Sequence, residues 1–88
     1  MVHKVIKINT EGGLRAKTAS LFVQTASQFS SQIIIEKGNK KVNAKSIMGT
    51  LSLAIGEGES THVLANGDDE KEALKALTEL AERNLAEA

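Results

Sequence analysis

Residues 33–43 read Ile-Ile-Ile-Glu-Lys-Gly-Asn-Lys-Lys-Val-Asn, and this stretch decides the fold that we expect. Its first three residues are all β-branched, which favours a strand. Residues 37–40, Lys-Gly-Asn-Lys, have the composition of a tight turn, and residues 41–43 return to an extended pattern. The sequence therefore predicts a β-hairpin of two antiparallel strands.

Two further strands are expected outside the hairpin. Residues 2–8 alternate loosely, with Ile6 and Ile8 on one side and Val5 and Lys7 on the other, which is typical of a half-buried strand. Residues 61–65 form a similar short segment before Asn-Gly at 66–67. We expect the hairpin and these two segments to make a four-stranded antiparallel sheet.

Three helices are predicted, at about 16–27, 47–53 and 70–84, with ends good to ~2–4 residues. In the first, the apolar residues recur three and four positions apart, at Ala19, Phe22, Ala26 and Phe29. Ser46 has the right side chain to cap the short second helix. Asp69 and Glu72 have capping-box spacing at the start of the third, and Glu79 and Arg83 form a favourable pair four residues apart.

The resulting order is β-α-β-β-α-β-α, which predicts a two-layer α+β fold with three helices on one face of the sheet. At 88 residues, the chain is expected to form a single domain spanning 1–88. Eleven basic residues balance eleven acidic ones, which argues against binding of nucleic acid or of an anionic membrane. The chain has no cysteine and no apolar segment of membrane-spanning length, so we expect an unexported, cytoplasmic protein.

Two segments carry a resemblance to a known family. Residues 42–49, Val-Asn-Ala-Lys-Ser-Ile-Met-Gly, and residues 13–19, Gly-Leu-Arg-Ala-Lys-Thr-Ala, are similar to the two functional motifs of the HPr family, the histidine-containing phosphocarriers of the sugar phosphotransferase system. The resemblance implies an open-faced β-sandwich with the same order of elements. The segment at 13–19 departs from the family pattern, with Arg15 in place of the phosphoacceptor histidine, Lys17 in place of arginine and Thr18 in place of proline.

These differences exclude the phosphocarrier reaction as the family performs it. An arginine guanidinium stays protonated and has no lone pair, so Arg15 cannot accept a phosphoryl group. The helix start still has two cations, Arg15 and Lys17, which either remain solvated or recognise an acidic partner surface. A phosphate-binding loop ending at Lys17 and Thr18 is rejected, because Ala16 and Glu11 occupy positions where that motif requires glycine.

Ser46 has two interpretations. A serine at a helix start is most often a cap. The resemblance implies a second role, since the serine of this motif is phosphorylated by a bifunctional kinase/phosphorylase, and the chain is similar to the catabolite-repression HPr-like branch, which lacks the histidine and keeps the serine. That branch usually has glutamine at the position of Arg15 and keeps the Arg-Pro that Lys17 and Thr18 replace here.

The function expected on this basis is regulatory and not enzymatic, with no cofactor. Phosphorylated Ser46 would make the chain a corepressor for a LacI-type transcription regulator. The alternative is an interaction domain that docks on a metabolic or phosphotransferase-system protein without phosphorylation. A monomer or weak homodimer is expected. The predicted partner-binding residues are Arg15, Lys17, Ser20, Val23, Lys45, Ile47, Met48 and Leu51.

Two other sets of residues are given no functional role by the sequence. Leu53 follows the apolar residues near Ser46, but it is expected to lie inside the domain. His3 and His62 are interpreted as surface residues without a second candidate ligand nearby, and no metal site is predicted.

Overall fold

The computed structural model describes residues 1–9 and 12–82, and its elements follow the predicted order. They are β1 (Val2–Lys7), α1 (Ala16–Ser27), β2 (Gln32–Lys37), β3 (Lys40–Asn43), α2 (Ile47–Ser52), β4 (Ser60–Asn66) and α3 (Glu70–Glu82). The first helix has the predicted bounds, and the second ends one residue earlier than predicted. Residues 83 and 84 lie outside the described residues, and because Arg83 is one of them the predicted pair of Glu79 with Arg83 falls outside them too.

The four strands form one antiparallel sheet in the order β1-β4-β2-β3. The predicted hairpin is present, with Lys37 opposite Lys40 and Gly38 at the turn with a φ of 59°. Such a positive φ suits a residue without a side chain, which explains the glycine in this two-residue turn. Strand β4 lies between β1 and β2, so a strand late in the chain joins the first strand to the hairpin.

The core lies between the helices and one face of the sheet. On the strands, alternate residues are fully buried, as Ile6, Ile35 and Val63 show, and Phe22 of α1 and Leu77 of α3 cover them. This arrangement confirms the two-layer α+β prediction. None of the described helices is long and apolar enough to cross a membrane.

Asp69 connects the start of α3 to the segment that leads into β2. The sequence predicts a capping box with Glu72, whereas the carboxylate of Asp69 accepts hydrogen bonds from the backbone nitrogens of Ser30 and Ser31, at 2.9 and 3.0 Å, and from the Ser31 hydroxyl. The Ser31 hydroxyl, followed by these backbone donors, lowers the pKa of Asp69 to about 2. The carboxylate thus joins two elements that are far apart in sequence.

Candidate functional site

Ser46 lies at the start of α2, where its backbone is extended and its side-chain oxygen accepts a hydrogen bond from the backbone nitrogen of Gly49 at 3.1 Å. Asn43, the last residue of β3, prepares this geometry. Its side-chain oxygen accepts from the nitrogen of Lys45 at 2.8 Å, and its carbonyl accepts from the nitrogen of Ser46 at 3.0 Å. The turn after β3 therefore places the Ser46 hydroxyl at the positive end of the helix, partly exposed.

Gly49 leaves the room that this hydroxyl needs. A β-carbon at position 49 would lie 3.2 Å from the β-carbon of Val42 and 3.3 Å from the Ser46 hydroxyl oxygen. Both distances are tighter than ordinary van der Waals contact, so a side chain there would push on the serine oxygen. Glycine at this position keeps the first turn of α2 open on the side of Ser46.

An apolar surface lies on α2 beside Ser46. Met48 is 76% exposed, Ile47 is 38% exposed and Leu51 is 37% exposed, whereas Leu53 is only 4% exposed. This is the division between surface and core that the sequence predicts for Ile47, Met48 and Leu53. Exposed apolar side chains in contiguous positions of a small domain are typical of an interaction surface.

Arg15 is the N-cap residue of α1, and its side chain is exposed. The cap is made by Thr18, whose hydroxyl oxygen accepts a hydrogen bond from the backbone nitrogen of Arg15 at 2.9 Å. The same hydroxyl lies 2.7 Å from the carbonyl oxygen of Gly13, to which it donates. Thr18 therefore performs the return half of a capping box, and it orders the loop by side-chain hydrogen bonds where the family has proline.

The loop before α1 packs against the segment that follows α2. The nitrogen of Leu14 donates to the carbonyl of Ile55 at 2.9 Å. Gly13 has a φ of 76°, and a β-carbon on it would lie only 2.3 Å from that same carbonyl oxygen. The approach of the two backbones thus requires glycine. It creates a groove of about 360 Å³ whose lining includes Arg15 and Leu51.

The remaining predicted residues surround this surface. Lys17 is exposed, and Ser20 and Val23 are partly exposed on α1, which packs against α2. The ammonium of Lys45 donates to the carbonyl of Phe29 near the end of α1, at 2.7 Å. Lys45 therefore connects the start of α2 to the segment that follows α1.

The sequence did not single out the lysines that bind the carbonyl end of α2. Lys40 donates to the carbonyl of Ser52 at 3.2 Å, and Lys37 donates to that of Ala54 and to the carboxylate of Glu59, both at 3.0 Å. Hydrogen bonds from the backbone of Gly56 and then from Lys37 lower the pKa of Glu59. Cations at the carbonyl end of a helix are stabilising. In the sequence, these lysines are marked only by their position beside the hairpin turn.

The prediction for the two histidines is wrong in one respect. His3 and His62 are indeed on the surface, but they are neighbours, with Nδ1 of His3 only 2.9 Å from Nε2 of His62. Each is thus the second candidate ligand that the other was expected to lack. In the described part of the chain, no group of three or more histidine, cysteine, aspartate or glutamate residues is arranged to hold a metal ion.

Comparison with known proteins gives a consistent result. Residues 2–83 match the PTS-HPr family, described as the PTS HPr component phosphorylation site. The chain is 51% identical over 83 residues to the HPr-like protein Crh of Halalkalibacterium halodurans, which covers 94% of this chain and 99% of that protein. It is 48% identical over 77 residues to the HPr-like protein Crh of Bacillus subtilis, covering 88% of this chain and 91% of that one.

Solved structures show the same similarity. HPr-C-His from Thermoanaerobacter tengcongensis superimposes with a TM-score of 0.90 at 57% identity, over 93% of this chain and 92% of that one. A crystal structure of Crh from Bacillus subtilis, described as a swapped dimer, superimposes with a TM-score of 0.74 at 46% identity, over 92% and 93% of the two chains.

Proposed function

Because this chain belongs to the HPr family, we propose that it is a regulatory member in which Ser46 is phosphorylated by a serine kinase and the phosphorylated form binds a LacI-type transcription regulator. It is an HPr-like protein related to catabolite repression, as its similarity to Crh shows. Proteins of this family are phosphocarriers or regulators rather than enzymes, which confirms the prediction that the chain is not an enzyme.

The proposal rests mainly on the position of Ser46, which lies at the start of a helix and beside an exposed apolar surface. A phosphate on its hydroxyl oxygen would add about −1.5 to −2 charges at the end of α2 where the helix dipole favours anions. The Gly49 amide already faces that oxygen at 3.1 Å. Phosphorylation would therefore add charge without requiring α2 to unfold.

The new charge would be available to a partner. Lys45, the neighbouring cation, is bound to the Phe29 carbonyl, so its ammonium already has a partner within the domain. Cationic side chains of a regulator could then bind the phosphate while Met48, Ile47 and Leu51 cover an apolar surface of that regulator. Each charge-assisted hydrogen bond to the phosphate would contribute roughly 1.5–3 kcal/mol.

Phosphotransfer through the loop before α1 does not compete with this function. The position of the acceptor is occupied by Arg15, which has no nucleophilic lone pair. Of the activities associated with the segments at 13–19 and 42–49, only regulation through Ser46 is then chemically possible.

The experiment is phosphorylation with ATP and the cognate kinase, followed by intact mass measurement. Ser46→Ala should abolish the added phosphate. Ser52→Ala is the matched control, because Ser52 lies at the other end of α2, is exposed, and donates to the carbonyl of Gly49 at 2.6 Å. Phosphate added equally to the wild type and to Ser46→Ala would contradict the proposal.

A second function is favoured by the exposure of Arg15 and Met48 in the unmodified chain. The surface shared by the loop and α2 would then dock on a metabolic or phosphotransferase-system protein without phosphorylation. A partner that is captured equally by the wild type and by Ser46→Ala, and lost on Met48→Ala, would support this alternative.

A further inference from the structure

The face of the sheet opposite the helices places three titratable side chains from three strands together. His62 lies on β4 and is paired with Val5 of β1 and with Glu36 of β2. His3 lies on β1 opposite Leu64, two residues further along β4, and is therefore the diagonal neighbour of His62. Ser46 lies at the start of α2, in the helical layer, so this group is separate from the proposed phosphorylation site.

The two imidazole rings face each other through nitrogen atoms. Nδ1 of His3 lies 2.9 Å from Nε2 of His62, and the ring centroids are 4.9 Å apart with an angle of 77° between the planes. Two neutral rings at this distance share a proton, since one nitrogen donates and the other accepts. One facing nitrogen thus carries the proton and the other the lone pair. A cation could take the place of the proton if the donor ring moved this proton to its outer nitrogen, so that both facing nitrogens offered a lone pair.

Glu36 lies beside the other ring nitrogen of His62. Its Oε2 is 3.6 Å from Nδ1 of His62, beyond hydrogen-bond distance, so its negative charge favours the tautomer with the proton on Nδ1 without fixing it. In that tautomer the lone pair of Nε2 faces His3. A carboxylate hydrogen-bonded behind an imidazole is the usual outer partner of a metal-binding histidine, and a movement of about 0.5 Å would bring Glu36 to that distance.

The separation of the nitrogens is compatible with one shared metal ion. Two nitrogens bound at about 2.0–2.1 Å with an angle of 90° would lie about 2.9 Å apart, whereas tetrahedral geometry would need about 3.3–3.4 Å. The observed 2.9 Å is the length of an N–H···N hydrogen bond, so the rings could hold an ion of right-angled coordination without moving apart, once each has turned its lone pair towards the ion. Cu²⁺ and Ni²⁺ combine such coordination with affinity for imidazole.

We propose that His3 and His62 form a bidentate site for a divalent transition-metal ion of right-angled coordination, Cu²⁺ or Ni²⁺, with Glu36 orienting His62. The site is on the surface, so water would complete the coordination. A bound ion would join the edge strand β1 directly to β4, in addition to the backbone pairing of these strands.

The test is calorimetric titration of the full chain with Ni²⁺ and with Cu²⁺, together with thermal unfolding with and without the ion. The wild type should bind one ion per chain and unfold at a higher temperature when it is bound, because the ion binds the folded arrangement of the two strands. His3→Gln and His62→Gln should each weaken binding by at least about tenfold and remove the stabilisation. Lys7→Gln, an exposed change on β1, is the matched control and should bind like the wild type.

Two further results separate the proposed site from other modes of binding. Glu36→Gln should weaken binding by about tenfold, since it removes the partner that orients His62. Unchanged affinity in His62→Gln, with loss in His3→Gln, would overturn the proposal, because the ion would then be held by His3 and the amine of Met1. Absence of saturable binding to the wild type would overturn it as well.

Discussion

The hydroxyl oxygen of Thr18 lies 2.9 Å from the backbone nitrogen of Arg15, and this contact closes the start of α1. The hydroxyl also donates to Gly13 at 2.7 Å, so one side chain connects the cap residue to the loop before it. Thr18, which replaces the family's proline, is therefore part of the local structure. Its replacement of the proline changes the hydrogen bonding of this loop, whereas the replacement of the histidine by Arg15 removes the phosphoryl acceptor.

Restoring the histidine alone should restore little phosphotransfer. Arg15→His supplies a nucleophilic nitrogen, but Lys17 lacks the forked guanidinium of the family's arginine, and the Thr18 hydroxyl already occupies the amide of residue 15. Incubation with phosphoenolpyruvate and the general phosphotransferase enzyme should give no acid-labile phosphate on the wild type and a small fraction on Arg15→His. Complete phosphorylation of that single variant would show that Lys17 and Thr18 do not limit transfer.

Acid should destabilise the domain partly through Asp69. Its pKa is lowered from 3.8 to about 2 in the folded chain, so the folded state favours the charged form. The stabilisation is present above the pKa of the unfolded chain and is lost as the pH falls from about 4 to about 2. Unfolding measured over this range should show a weaker pH dependence for Asp69→Asn than for the wild type. Asp68→Asn, a change at the exposed neighbouring position, should keep the wild-type profile.

Thr50 offers a stabilising substitution. Its side chain is fully buried in α2, and its hydroxyl has no hydrogen-bond partner among the described residues. Thr50→Val keeps the shape and removes the unsatisfied group, so the free energy of unfolding should rise by about 1 kcal/mol. Chemical denaturation measures this change. Thr78→Val is the control, because that hydroxyl donates to the carbonyl of Leu74 at 2.7 Å, and no gain is expected.

The fold was predictable because it depends on local patterns. The β-branched run at 33–35, the turn at 37–40 and the apolar spacing from Ala19 to Ala26 each determine a nearby element, and the structure contains all of them. Ser46 was predictable as a cap for the same reason, since a helix start depends on a few neighbouring residues.

The contacts that escaped prediction join residues that are distant in sequence. His3 meets His62 because β1 pairs with β4 in a particular register, and Asp69 meets Ser31 because α3 begins beside the start of β2. Neither contact has a periodicity or a spacing that marks it in the sequence. The contact made by Thr18 is local, unlike the other two. Its hydroxyl orders the loop by hydrogen bonds, whereas a proline would do so by fixing the backbone angle φ.

Ser46 should contribute to stability as a cap, independently of its phosphorylation. Ser46→Ala removes the acceptor for the Gly49 amide and should lower the free energy of unfolding by about 0.5–2 kcal/mol while keeping the fold. Ser46→Asp retains an acceptor at the helix start and should be close to the wild type in stability. Thermal or chemical unfolding of the three proteins tests this order.

The most direct test of the proposed function is the affinity of the phosphorylated and unmodified chains for the LacI-type regulator, measured by calorimetric titration under the same conditions. One charge-assisted hydrogen bond from the regulator to the phosphate of Ser46 should tighten binding by about ten- to a hundredfold. Ser46→Ala treated with the kinase should bind like the unmodified chain. Equal affinities of the phosphorylated and unmodified chains would contradict the account and leave docking without phosphorylation as the function of this surface.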